Sequence, residues 1–104
     1  MSAASFTARG GGRFSVAGDL SFATAPALWA QSRQAFADAS GALDIDLKDA
    51  QRADSAGLAL LVTWTRWARE GSKTLRLRNA PRQVATLAQA NKLTKLLALQ
   101  PDAA

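Results

Sequence analysis

The stretch LDIDLKDAQRADSAGLALL, residues 43–61, decides the fold, because its pattern predicts a buried strand, a polar turn and a capped helix in succession. Aliphatic residues occupy every second position from Leu43 to Leu47, and this period of two predicts a strand with one apolar face. The alternation stops after Lys48, which predicts a turn that contains Gln51 and Arg52. Open α/β sheets bind partners beyond the carboxyl ends of their strands, so this turn is the candidate functional site.

A helix is predicted directly after this turn. Apolar residues recur at helical spacing from Leu58 to Ala68, and the Asp54 carboxylate is placed to accept a hydrogen bond from a free N–H of the first turn. We expect Asp54 to shape the turn, since a lone carboxylate is poorly equipped for acid–base catalysis. Ser55 then lies exposed at the helix start. Its hydroxyl either bonds only the local backbone, or fits a partner pocket in which a bulky or charged residue would clash.

The motif Asp54-Ser55-Ala56-Gly57-Leu58, after a hydrophobic strand and a short turn, resembles the signature of the STAS domain family. These small modules occur in anti-sigma factor antagonists and on sulfate transporters, and the resemblance covers nearly the whole chain. It implies an α/β fold, a STAS-like single domain over residues 1–104, with a mixed sheet of about four to five strands and helices packed against it. Residues 1–4 and 100–104 are expected to be frayed tails.

Within that family, the position just before the glycine looks to be the phosphate acceptor of antagonists that are switched by phosphorylation. Here it is Ala56, which has no hydroxyl. The run from Arg52 to Leu61 and the later Asn91-Lys92-Leu93 look closest to the MlaB-like branch, which serves the Mla phospholipid ABC transporter of bacteria.

The resemblance to that branch implies a non-catalytic cytoplasmic subunit that binds and regulates or stabilises the transporter's ATPase. Such a subunit would be peripheral to the inner membrane through the transporter complex. An anti-sigma factor antagonist, acting by protein–protein binding, remains the alternative.

The predicted helix has two apolar stripes. One should meet the sheet, and the second, Leu60, Trp64 and Trp67, lies beside it on the side of Gly57. The second stripe either packs against the first or third helix or contacts a partner, because tryptophan is enriched among residues that dominate interface energy. The predicted partner-binding residues are Arg52, Asp54, Ser55, Ala56, Gly57, Leu60, Trp64 and Trp67.

Composition restricts the possible functions. The chain has 104 residues, 48% of them hydrophobic and 20% charged, which is typical of one folded domain. It contains no cysteine and no histidine, so the usual zinc sites and the common nucleophile–base pairs cannot be built. We therefore predict no enzymatic activity, no cofactor and no metal.

The net charge is +5, which invites a nucleic-acid or nucleotide-binding alternative. The basic residues are scattered, however, and no basic cluster interleaves with aromatic residues as single-strand binding surfaces do. The N-terminal residues lack the apolar stretch of a secretory signal, and no run approaches the roughly twenty apolar residues that span a bilayer. These features favour a cytoplasmic, protein-binding role.

The remaining elements follow from turn and periodicity signals. Two short strands are predicted at Phe6–Ala8 and Phe14–Ala17, around a glycine turn at residues 10–12. Helices are predicted from Pro26 and from Pro81, with a strand between them at Thr74–Leu77. Residues 93–99 are predicted to form either a last short strand or an added turn of helix.

Overall fold

The computed structural model describes residues 4–37, 39 and 41–97. Within them, a hairpin of two strands is followed by helices that alternate with two further strands, and the chain ends with two consecutive helices. The elements are β1 (Ala4–Gly10), β2 (Arg13–Leu20), α1 (Ala25–Ala37), β3 (Ala42–Ala53), α2 (Ser55–Glu70), β4 (Thr74–Arg78), α3 (Arg82–Ala90) and α4 (Thr94–Leu97).

The four described strands form one mixed sheet in the order β1-β2-β3-β4. The first pair is antiparallel, and β2–β3 and β3–β4 are parallel. The hairpin reverses at Gly10, Gly11 and Gly12, whose φ angles of 88°, 63° and 78° lie in the left-handed region that favours glycine. The mixed α/β fold and the glycine turn are therefore confirmed.

One face of the sheet is covered and the other is polar. Leu43, Ile45 and Leu47 of β3 are fully buried, and the helices pack on their side. On the opposite face, Arg78 Nε donates to Asp44 Oδ1 at 2.7 Å in a partly exposed ion pair. The period of two in β3 thus separates a helix-covered apolar face from a solvated charged face.

The predicted turn after Lys48 is wrong, because β3 continues to Ala53. The alternation ends early since the pairing with β2 shifts register between Ser15 and Ala17 and again between Gly18 and Leu20. Beyond Leu47 the buried positions are Ala50 and Ala53, three residues apart. A strand with bulged pairing loses its period of two, so its sequence no longer indicates a strand.

The described ends of the chain also refine the predictions. Ala4 belongs to β1 and is not part of a frayed tail, whereas residues 1–3 and 98–104 lie outside the described residues. The helical alternative is the one observed at Thr94–Leu97, where α4 forms. Among the described helices, none has both the length and the apolar character needed to cross a membrane.

Candidate functional site

Asp54 joins three segments at the carboxyl end of the sheet. Its Oδ1 accepts hydrogen bonds from Ala56 N at 2.9 Å and Gly57 N at 3.0 Å, which confirms the predicted helix cap. Its Oδ2 accepts from Phe22 N at 3.1 Å, and its own N–H donates to Leu20 O at 3.1 Å. One carboxylate therefore holds the start of α2 against the loop between β2 and α1.

These hydrogen bonds favour the ionised carboxylate. The bond from Gly57 N, followed by the bond from Phe22 N, lowers the pKa of Asp54 below its ordinary value of 3.8. Both oxygens of the carboxylate accept hydrogen bonds from backbone N–H groups. Asp54 thus has the structural role that the sequence predicts for it.

Ser55 is the first residue of α2, and its side chain is exposed. No hydrogen bond within the part of the chain that the structure describes engages its hydroxyl. The first alternative for Ser55, a hydrogen bond from its hydroxyl to the local backbone, is therefore not observed. The hydroxyl faces solvent beside Ala56, which is half-buried.

Gly57 positions the whole helix. A Cβ atom at Gly57 would lie 2.0 Å from Leu20 O and 2.8 Å from Leu20 Cβ. Contacts this short do not occur for real side chains, so only glycine lets the first turn of α2 approach β2 so closely. Gly57 is buried by this approach and serves the site by bringing Ser55 and Asp54 to the sheet edge.

An open apolar groove of about 410 Å³ begins next to Ser55 and runs between α1 and α2. The two helices start side by side because each follows one of the parallel strands β2 and β3. The groove is lined by Phe22, Ala25, Pro26, Trp29, Ala56, Ala59, Leu60 and Thr63. Phe22 is 83% exposed and is the one large hydrophobic side chain left in solvent among the described residues.

Sequence reasoning found only part of this groove. It selected Ala56 and Leu60, and it missed the residues that the β2–α1 loop and α1 contribute. The available signal was Phe22 itself, a large aromatic residue between Ser21 and Thr24 in a stretch that otherwise has turn and cap character. The pairing of α1 with α2 could not be derived from spacing along the chain.

Trp64 is a core residue, so its predicted place on a partner surface needs correction. Its side chain is fully buried, and its Nε1 donates to Ser32 Oγ on α1 at 2.7 Å. Its ring centroid lies 5.5 Å from that of Phe6 and 6.2 Å from that of Phe36. Packing against the first helix, one of the two interpretations from the sequence, is the arrangement observed.

Trp67 is half-buried and already has contacts on its ring. It stacks on Phe36 with centroids 5.0 Å apart, and Lys73 Nζ lies 4.8 Å from its ring centroid. Lys73 Nζ also donates to Ala39 O at 2.8 Å, which holds the cation in place. Of the second apolar stripe, only Leu60 reaches the groove beside Ser55.

Arg52 is exposed near the end of β3, in a polar pocket with Asp19, Ser21 and Gln83. Next to it, Ala53 N donates to Gln83 Oε1 at 2.8 Å, which ties α3 to the end of β3. Arg52 therefore lies in a separate pocket and does not line the groove. Four of the predicted residues, Arg52, Asp54, Ser55 and Ala56, lie at the end of β3 and the start of α2, and not in the longer turn that the sequence predicts.

The fold has a counterpart among solved structures. The chain matches a structure described as the anti-sigma factor antagonist SpoIIAA in its unphosphorylated form, with a TM-score of 0.74. The sequence identity is 18%, and the match covers 98% of this chain and 89% of the other. At that identity the likeness concerns the fold alone. No curated protein matches the chain significantly in sequence.

A family model described as "Mlab, STAS domain" matches residues 6–99. This range begins within β1, includes all of the later elements and contains the Asp54–Leu58 motif with the groove beside it. The chain therefore belongs to the MlaB-like STAS domain family, as the resemblance of the motif predicts.

Proposed function

We propose that the chain is a non-catalytic cytoplasmic subunit that binds the ATPase of an Mla-type phospholipid ABC transporter through Ser55 and the surrounding surface. The observation that carries the proposal is the unengaged Ser55 hydroxyl at the start of α2, next to an open apolar groove. Membership of the MlaB-like family supports the choice of partner.

The site suits protein binding better than catalysis. The carboxylate at the helix start, Asp54, accepts hydrogen bonds from three backbone N–H groups, and the chain has neither histidine nor cysteine. An exposed hydroxyl beside a largely apolar surface resembles the mixed character of interface centres, where apolar contacts supply affinity and a few polar groups supply orientation. The subunit would regulate the ATPase if it binds one conformation of the ATPase more tightly than another. The resulting shift in the conformational equilibrium cannot exceed the difference in binding free energy.

Co-expression with the Mla-type ATPase of the same organism, followed by size-exclusion chromatography, tests the proposal. Wild type should co-elute with the ATPase. Ser55→Arg should weaken the complex more than about tenfold, because a large charged side chain prevents close approach at the interface centre. Ser5→Arg on β1 is the matched control, since Ser5 is equally exposed but lies on the polar sheet face.

Two outcomes would overturn this function. If folded wild type binds no ABC ATPase but captures an anti-sigma factor, the antagonist alternative replaces the transporter subunit. If the complex survives Ser55→Arg unchanged, the contact surface does not include the start of α2. Circular dichroism of each variant establishes that the fold is intact.

A further inference from the structure

Two exposed arginines lie beyond the residues that line the groove between α1 and α2. One turn beyond Trp29 on α1 lies Arg33, and one turn beyond Thr63 on α2 lies Arg66. Residues three or four apart on a helix share a face, so both arginines flank the far end of the groove. Both are exposed, and neither forms a salt bridge with another described residue.

The lining of the groove also restricts the backbone that can enter it. Seven of its eight residues are apolar, and the remaining hydroxyl, Thr63 Oγ1, already donates to Ala59 O at 2.8 Å. An extended segment laid in this groove would leave its own N–H and C=O groups without partners. A helix satisfies these groups internally, so a helix is the better occupant of an apolar groove.

Close approach of a helix is allowed by the small side chains on α2. Ala56, Ala59 and Thr63 follow one another at helical spacing along the groove wall, where larger residues would hold a third helix away. Leu60 and Trp29 form the deeper apolar surface between the two helices, and Phe22 adds an exposed aromatic ring to the lining. A partner helix therefore has apolar surface along its length and Arg33 and Arg66 at one end.

We propose that the groove binds one amphipathic helix of the ATPase, with an apolar face on Leu60 and Trp29 and acidic side chains beside Arg33 and Arg66. This inference rests on the proposed function and adds the kind of segment that docks, its direction and its charge. The acidic end of the partner helix lies away from Ser55, toward the C-terminal halves of α1 and α2.

Charge reversal tests the electrostatic half of the inference. The double variant Arg33→Glu with Arg66→Glu should weaken the ATPase complex by at least about tenfold at low salt, mainly through a slower association rate. The matched control is Arg9→Glu with Lys95→Glu, which changes the net charge equally at exposed positions on β1 and α4. Equal effects of the two double variants would overturn a specific role for Arg33 and Arg66.

Photo-crosslinking tests the helical half. The chain has no cysteine, so Ala59→Cys and Thr63→Cys each provide a unique attachment point for a photoreactive group. In the complexes that the labelled variants form, crosslinked ATPase residues should recur every three or four positions in one segment that carries acidic residues. Crosslinks to an extended segment or to scattered loops would overturn the inference while leaving the proposed function intact. Absence of any complex with the ATPase would overturn both.

Discussion

Gly57 shows how one residue without a side chain sets the position of the site. Its backbone lies so close to Leu20 that an added Cβ would be 2.0 Å from the carbonyl oxygen. Gly57→Ala should lower the free energy of unfolding by about 1–3 kcal/mol, because α2 must move away from β2 to admit the methyl group. Urea denaturation followed by tryptophan fluorescence measures the change.

Gly71 provides the matched control for that substitution. Its φ is −89°, and an added Cβ would meet nothing closer than 3.6 Å. Gly71→Ala should therefore be neutral or slightly stabilising, since alanine restricts the unfolded chain more than glycine does. A similar loss of stability in both variants would contradict the close-packing explanation for Gly57.

Asp54 makes the stability of the site dependent on pH. Its pKa is lowered in the fold, so the ionised carboxylate contributes stability that is present above the unfolded pKa near 3.8 and is lost as the pH falls through the lower folded value. At pH 7, Asp54→Ala should cost about 1 kcal/mol through loss of the helix cap. The difference between wild type and variant, measured by urea denaturation, should shrink below pH 4. A constant difference down to pH 2 would contradict the pKa assignment.

At the scale of elements, α2 combines three functions along its sixteen residues. Its first turn begins with Ser55 and is capped by Asp54, its middle faces both the sheet and the groove, and its later turns carry Trp64 and Trp67, which pack on Phe36 of α1. Because Trp64 bonds to Ser32, the aromatic cluster fixes the spacing of α1 and α2 and thereby the width of the groove.

The contact between Trp64 and Ser32 gives a prediction about the packing of α1 on α2. Ser32→Ala leaves the buried Trp64 N–H without its partner and should cost about 1–3 kcal/mol of unfolding free energy. In a Trp64→Phe background the same serine substitution should cost clearly less, since no N–H remains to be satisfied. A double-mutant cycle in urea measures this coupling, and purely additive losses would contradict it.

Elements whose signal is local were well predicted. The cap at Asp54, the glycine turn and the strand at Thr74 each depend on neighbouring residues, and the structure confirms them. The last five residues of β3, 49–53, were missed, because their burial depends on a shifted register with β2 and not on alternation within β3. Such a register cannot be derived from one strand alone.

At the scale of the whole molecule, the topology brings together residues that are far apart in the sequence. Parallel pairing of β2 with β3 places the starts of α1 and α2 together, although thirty-two residues separate Phe22 from Asp54. The motif at Asp54–Leu58 was visible in the sequence, but its neighbours across the groove were not. Trp64 was assigned to two possible environments because its helical stripe is compatible with either, and only the position of α1 decides between them.

Asp54 forms two hydrogen bonds to the segment before α1: its Oδ2 accepts from Phe22 N, and its own N–H donates to Leu20 O. These two bonds affect the conformational entropy that is lost on binding. Because Phe22 and Leu20 are tied to the start of α2, the loop before α1 is ordered during folding and not when a partner arrives. Ordering a loop on association lowers the affinity, so a loop that is already ordered in the free protein avoids this loss of binding free energy. The exposed aromatic ring of Phe22 is thus presented on a fixed backbone, so the free protein already has the surface shape that a partner would contact.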